Sequence, residues 1–419
     1  MGINVYLCQT KLVLAMNWTP ELRDFIQEHI NDDTAELLLA ARKYPGIDVP
    51  FAVEQIEARR RLKAKLPEWY ENAELVMGGR VPAEQCSSEV TARYKRSIIK
   101  GGSLCDMTGG MGVDFWYMSE GMQRAIYTER NEELCTIARH NFQVLQTQGF
   151  EYVIRCGDGR ELPIPSVDVI YLDPARRAGD GSRVYAMEDC EPNIVEWQDE
   201  LLKHTKTLLV KLSPMVDITD ILRKLKGVTE VHIVAVRNEC KEVLVKCLPP
   251  SPPKEGEKPC GVLLHCVDFL PSSTIHYTSI IPDETAVLVS EKGVGHYLYE
   301  PDVTLMKAQA FGSLCQRFSV CQLDNDTHLM TSDEFIPDFP GRIFEVEEQV
   351  PFSSKVLKRL KREMPQANVA VRNFVMTADD LRKKTGIKDG GEVYLFGAKV
   401  KDVGQMLLKC RKKVVPSHP

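Results

Sequence analysis

The 419-residue sequence has 13 cysteines but no Cys-x-x-Cys pair. That absence argues against the thiolate zinc, iron–sulfur and thioredoxin-like sites built on such spacing, and no metal is expected. An odd, scattered set of thiols fits a reducing compartment, so a cytoplasmic location is expected. Cys105, Cys135 and Cys156 are expected in apolar surroundings, where cysteine serves as a small hydrophobe. No run approaches the roughly 18 apolar residues of a membrane span. The apolar stretch Leu12–Met16 follows a single basic residue, Lys11, so neither a secretory leader nor a membrane partner is expected. No segment recurs at a fixed period.

What is present is a soluble, multidomain composition. Hydrophobic residues make up 43% and charged residues 27%, near globular averages, and the length suits two to four domains. The formal charge of −6 is unevenly spread. Residues 351–419 hold 16 Lys and Arg against 6 Asp and Glu, a charge of +10, leaving −16 for the remainder. Such asymmetry points to a partner-binding module at the C-terminus.

Residues 17 to about 100 read as helical, with apolar positions at helical spacing in Glu36–Lys43 and Val53–Lys65, and with Ser87-Ser88 as an N-cap. From Ser103 short apolar runs alternate with helical stretches. Strands are expected at Ser103–Thr108, Arg124–Glu129, Tyr152–Gly157, Val167–Asp173 and Thr207–Ser213. Helices are expected at Val113–Ser119, Glu132–Gln146, Glu188–His204 and Ile218–Leu225. That alternation gives a parallel sheet covered on both faces, an α/β fold. Glu230–Arg237 and Glu242–Leu248 then read as a hairpin, and Gly261–Phe269 as a further strand beyond the proline-rich break 249–256. A helix over Val303–Arg317 sits in a mixed region. Residues 341–415 read as strand–helix–strand–helix–hairpin, with helices starting at Ser353 and Thr377. The expected domains are a helical region at 1–100, a core at 101–270, a small α+β domain at 271–340 and a basic module at 341–419.

The chemistry concentrates after the first strand, in Asp106-Met107-Thr108-Gly109-Gly110-Met111-Gly112-Val113-Asp114. Glycines let the backbone turn tightly against a ligand, and the following helix offers free N–H groups to an anion. Glu129 closes the second strand, where a carboxylate can accept from both hydroxyls of a ribose. A dinucleotide site is disfavoured, because Phe115 stands where close helix–strand packing needs glycine, and no Gly-Lys-Ser or Gly-Lys-Thr forms a phosphate loop. Asp158, after the third strand, is placed to accept from an adenine amino group; Gly157-Asp158-Gly159 is also ordinary turn chemistry. The fourth strand ends in Asp173-Pro174-Ala175-Arg176-Arg177. Carboxyl ends of central strands line the ligand crevice of such sheets, so an acid emerging there is a functional candidate.

The order Asp-x-Thr-Gly-Gly-x-Gly, Glu129 and Asp-Pro-x-Arg resembles class I S-adenosylmethionine methyltransferases. With Ser87-Ser88-Glu89, Thr91-Ala92, Tyr94-Lys95 and Lys211-Leu212-Ser213-Pro214, nearly the whole chain is similar to a bacterial family of RNA methyltransferases carrying a THUMP-like C-terminal domain. The resemblance implies a Rossmann-like seven-stranded core, followed by ferredoxin-like and THUMP-like domains. It implies S-adenosyl-L-methionine as cofactor, held by Asp106, Thr108, Gly110, Gly112, Glu129 and Asp158, and a catalytic loop with Asp173, Pro174 and Arg176. Asp106–Asp114 and Asp173-Pro174 are also similar to ribosomal-RNA guanine-N2 methyltransferases. Amine methylases commonly stack the base on an aromatic residue after this motif; here Ala175-Arg176 follows, which leaves the methylated atom open.

The reading that results is methyl transfer to a base of RNA, ribosomal or transfer. Asp173 and the Pro174 carbonyl would orient an amine, Arg176 or Arg177 would meet phosphate or base, and Lys211 and Ser213 would face the same crevice. Lys355, Lys358, Arg359, Lys361 and Arg362 on one helix, Arg382, Lys383 and Lys384 on the next, and Lys409, Arg411, Lys412 and Lys413 at the end form a phosphate-binding surface. Two other readings fit the same residues: a methyltransferase acting on protein or a small molecule, and a non-catalytic cofactor- and RNA-binding assembly factor.

Overall fold

The computed structural model describes residues 18–146, 151–176, 187–250, 261–283 and 285–414. The apolar run at 12–16, Arg177, residues 251–256 of the proline-rich break, and the side chains of Arg176 and Lys361 lie outside the described parts. Among the described residues, one compact unit holds 18–212, 219–228 and 245–250, and a second holds 213–218, 229–244 and 261–414.

The helical region of the first unit is organised by its caps. Oxygens of Thr19, Asp33, Asp48 and Ser88 accept from first-turn N–H groups and start the helices Pro20–Glu28, Thr34–Leu39, Val49–Leu62 and Glu89–Ile98. The helix expected at Glu36–Lys43 stops at Leu39 and continues only as a short 3-10 turn, Ala41–Lys43. Trp18, Leu22, Ile26, Val53 and Ile56 share one buried cluster. Arg59, 2% exposed, reaches back to the carbonyls of Tyr70, Asn72, Ala73 and Leu75 and so pins an irregular segment. The Asn141 amide does the same for Val76, donating to its carbonyl and accepting from its N–H.

Eighteen strands follow among the described residues. In the larger sheet they are β1 (Ser103–Asp106), β2 (Arg124–Glu129), β3 (Glu151–Cys156), β4 (Val167–Leu172), β7 (Thr205–Leu212), β8 (Val228–Val236), β9 (Cys240–Cys247), β10 (Val262–Phe269) and β11 (Thr274–Ile281), in the order β11-β10-β8-β9-β7-β4-β1-β2-β3. β5 (Ala175–Arg176) and β6 (Cys190–Glu191) form a separate two-stranded ribbon. β3, β2, β1, β4 and β7 are parallel, and the interior of β4, Val169-Ile170-Tyr171-Leu172, is buried. Burial on both faces is what a parallel sheet requires of its central strand. The chain reverses from β8 to β9 at Arg237 and Asn238, both at positive φ, with Val236 and Glu239 exchanging backbone hydrogen bonds. The hairpin turn is thus two residues long and overlaps, at Asn238, the gap of 238–241 left between the two expected strands. Seven strands, β3-β2-β1-β4-β7-β9-β8, match the implied core, but the sheet has nine: β10 pairs parallel with β8, and β11 antiparallel with β10, extending it to Ile281.

The helix expected at Glu188–His204 covers only Ile194–Leu202, because Cys190-Glu191 pairs with β5 and Pro192 intervenes before the Asn193 cap. In the second unit the helix expected at Val303–Arg317 is two helices, Val303–Ala308 and Phe311–Phe318, broken where Gln309 turns to φ +53°.

A second sheet lies within that unit. Its strands are β12 (Tyr297–Pro301), β13 (Cys321–Gln322), β14 (Met330–Ser332), β15 (Gly341–Pro351), β16 (Asn368–Arg372), β17 (Val393–Val400) and β18 (Gly404–Lys413), in the order β13-β14-β12-β15-β18-β17-β16. The expected C-terminal alternation is present, with helices Ser354–Glu363 and Ala378–Thr385 capped by Ser353 and Thr377. Both pack on a core of Leu360, Leu381, Leu395 and Leu407. Among the described residues no helix is long and apolar enough to cross a membrane.

Candidate active site

The turn between β1 and the helix Val113–Met118 is tied from three sides. Asp106, 1% exposed, accepts from the Thr108 N–H at 2.9 Å. Burial pushes its carboxyl well above the ordinary range, the Thr108 bond offsetting this only in part and the charges of Asp114, Asp173 and Glu129 adding to it. The Gly109 N–H donates to the Thr128 carbonyl at 2.8 Å, and the Tyr127 hydroxyl to the Gly110 carbonyl at 2.5 Å. Glu129 spans the mouth of the turn, accepting from the N–H of Gly110 and of Asn131, each at 2.8 Å.

Two glycines in the turn have different reasons. Gly110 sits at φ +54°, and a Cβ there would meet only the Thr108 carbonyl at 3.9 Å. Gly112, at φ +81°, also packs so closely that its Cβ would lie 2.6 Å from the Phe142 ring. One keeps open space beside a ligand; the other lets the helix seat on the sheet.

The loop that follows β4 is joined to this turn. The Asp173 N–H donates to the Thr108 hydroxyl at 2.7 Å, and Lys211, at the end of β7, reaches the Asp173 carboxylate at 2.5 Å. Pro174 is buried, and Ala175-Arg176 pairs with Cys190-Glu191, which fixes the backbone beyond it. Asp106, Thr108, Gly110, Gly112, Glu129, Asp173 and Lys211 are therefore brought together at the carboxyl ends of β1, β2, β4 and β7. Ser213 belongs to the other unit, where its hydroxyl accepts from the Met215 N–H.

Asp158 is engaged elsewhere, although the adjoining Gly159 packs against the Met107 carbonyl. Both of its oxygens are engaged by Arg160, whose hydrogen bonds hold the Asp158 carboxyl below its usual range. Arg160 also meets Glu191 at 3.0 Å. The pair is solvent-accessible, with 24% of the Asp158 and 41% of the Arg160 side chain exposed.

Sequence reasoning gave no role to a buried network beneath the site. Asp114 accepts from the Ser87 and Tyr171 hydroxyls at 2.7 and 2.8 Å and pairs with the Lys95 ammonium at 3.2 Å. Lys95 is fully buried and also donates to Ser87. Burial alone would raise Asp114, but the charges of Lys95 and Lys211 and the two hydroxyls outweigh it and hold the carboxyl below its usual value. The signal that could have found this network was in the sequence: a lysine on the apolar side of the Ser88-capped helix, and an acid inside the glycine turn.

The fold and this constellation define a class I S-adenosylmethionine-dependent methyltransferase. A chain from Porphyromonas gingivalis W83, assigned as a methyltransferase, has a crystal structure that matches at a TM-score of 0.85 with 36% identity, covering 94% of this chain and 98% of that one. The chain belongs to the same family, class I methyltransferases with a THUMP-like C-terminal domain. A family model described as a ferredoxin-like domain matches residues 297–340, and one described as THUMP domain-like matches residues 341–412. Uncharacterized S-adenosylmethionine-dependent methyltransferases of Mycobacterium tuberculosis strains H37Rv and CDC 1551 are 23% identical over 347 residues, covering 82% of this chain and 90% of each relative. S-Adenosylmethionine is the cofactor. The residues fit it: an open glycine surface for its amino-acid end and a carboxylate at the ribose position.

Basic residues of the THUMP-like segment fall into two groups. Those on β17 and β18 are largely neutralised: Lys399 by Asp324, Lys409 by Glu347, Arg411 by Glu347 and Glu392, and Lys413 by Glu345. On the helices Arg359 pairs with Glu348, and Arg382 with Asp379 and Asp389. Lys355, Lys358, Arg362, Lys383 and Lys412 are exposed and form no ion pair among the described residues.

Proposed function

We propose that this cytoplasmic enzyme methylates a base of RNA, ribosomal or transfer, and that an exocyclic amine of guanine is the acceptor. The observation that carries the RNA reading is the exposed set Lys355, Lys358, Arg362 and Lys383 on two adjacent helices of the THUMP-like segment, while acids neutralise most of the cations on its strands. Phosphates are bound by unpaired cations, and acidic partners would have to be displaced first.

The cofactor supplies an already activated methyl group, so the protein's task is alignment, worth about 7 to 11 kcal/mol when geometry is well held. Asp173 and the Pro174 carbonyl accept hydrogens from the amine and turn its lone pair to the methyl. Thr108 and Lys211 hold Asp173 from its backbone and its carboxylate. Glu129 would hold the ribose, and Asp106, Thr108, Gly110 and Gly112 the amino-acid end. Asp158 reaches an adenine amino group once Arg160 gives way. Arg176 meets phosphate or base, and Arg359 and Lys412 join the RNA surface.

The test is mass-spectrometric comparison of modified nucleosides in ribosomal and transfer RNA from wild-type and deletion cells. One methylated nucleoside should disappear and return with the wild-type gene but not with Asp173→Ala. Identical profiles in both RNA pools would overturn the RNA assignment and favour a protein or small-molecule acceptor.

A further inference from the structure

Outside the methyl-transfer site, Glu230, His232 and His265 converge on one face of the large sheet. Glu230 and His232 are two residues apart on β8, so their side chains leave the same face, and His265 of β10 is in direct register with His232. The two imidazoles stack with centroids 4.4 Å apart and planes 9° from parallel. Glu230 Oε2 lies 3.1 Å from His232 Nε2, and one potential ligand atom from each of the three side chains falls within 4.8 Å of the others.

We propose that these three residues bind a divalent transition cation of the zinc class, as a structural clip between β8 and β10. Bond lengths of about 2.0–2.1 Å place neighbouring ligands of a tetrahedral ion roughly 3.3 Å apart, close to the Glu230–His232 spacing. Because imidazole lone pairs lie in the ring plane, ligation by both histidines requires at least one ring to rotate out of the 9° stack. Imidazole with carboxylate is a donor set that suits zinc and disfavours calcium or magnesium, which take oxygen. His232 is 1% exposed, while His265 is half-buried. His276 and Thr278 of β11 share that face and are exposed, which gives an ion a path in. Thr278 Oγ1 lies 3.5 Å from His265 Nδ1, an outer partner that leaves Nε2 as the ligating nitrogen. The position suits a clip, since β10 and β11 are the strands added beyond the seven of the methyltransferase core.

The experiment uses tag-free full-length protein, stripped with chelator and titrated with zinc alone, beside His265→Ala and Glu230→Gln. S-Adenosylmethionine binding by each variant shows that it is folded. The expected result is one zinc equivalent bound at least tenfold more tightly by the wild type than by either variant, with a higher melting temperature for the loaded wild type only. Cobalt loading should give visible bands without a thiolate charge-transfer band, which separates this site from the chain's cysteines. Equal zinc binding by wild type and folded variants, or a thiolate band in cobalt protein, would overturn the proposal.

Discussion

Glu129 is the residue whose removal should be felt first by the cofactor. It accepts two backbone N–H bonds that shape the mouth of the glycine turn, and hydrogen bonds to charged groups contribute about 1.5–3 kcal/mol each. Glu129→Ala should weaken S-adenosylmethionine binding by one to two orders of magnitude in calorimetry, with a melting temperature lowered by a few degrees. The two glycines should separate stability from binding. Gly110→Ala carries mainly the left-handed backbone penalty of about 1–2 kcal/mol, whereas Gly112→Ala adds a clash with Phe142 and should cost clearly more in denaturant unfolding. Asp106 behaves in the opposite sense to a stabilising acid. Its folded pKa is raised, so its contribution is complete below the ordinary carboxylate value and is lost as pH rises toward the folded one. Asp106→Asn keeps an acceptor for Thr108, so it should be at least as stable as wild type at pH 7 and lose stability less between pH 4 and 7, while binding the cofactor more weakly. The turn was legible because glycine, strand and acid occur at fixed spacing. The Asp158–Arg160 pair was not, since nothing in Gly-Asp-Gly-Arg says which partner the carboxylate takes.

At the scale of elements, the helix Glu89–Ile98 is held to the core by a buried charge. Removing one partner of such a pair costs about 3–5 kcal/mol, because the other is left uncompensated. Lys95→Met should therefore destabilise strongly, and Lys95→Met with Asp114→Asn should recover most of the loss; a double-mutant cycle in urea measures this. Because the folded pKa of Asp114 is depressed, its stabilisation is present above the ordinary carboxylate value and disappears as pH falls through the lower folded one. Strands β1 to β4 matched expectation to within two residues because apolar runs bounded by turns mark them. Helix breaks matched less well. Gln309 and Arg237 adopt positive φ without being glycine or asparagine, so tertiary context, not local preference, sets those positions. Pairing of Ala175-Arg176 with Cys190-Glu191 is likewise a long-range event that no periodicity announces.

For the whole molecule, the contrast of +10 in residues 351–419 against −16 elsewhere was visible in the sequence, but not which cations are spent on acids. The structure leaves a few of these cations without an acidic partner, and the RNA surface proposed for them is testable. Binding of transfer or ribosomal RNA should weaken steeply with salt. Lys355→Glu with Lys383→Glu should reduce the slope of log K against log salt by about 0.7–0.9 for each phosphate no longer neutralised, with little change in cofactor affinity. Arg411→Glu, already neutralised on its strand, should change the slope less.

The ladder in which Tyr297–Pro301 pairs with Gly341–Glu345 crosses the point where the two C-terminal family models meet. A truncation at residue 340 would strip one side of that ladder and bare a strand edge able to recruit another chain, so a shortened protein would report self-association rather than substrate preference. Cutting between the last two segments therefore disturbs both, and surface point changes are the instrument that can question one of them alone.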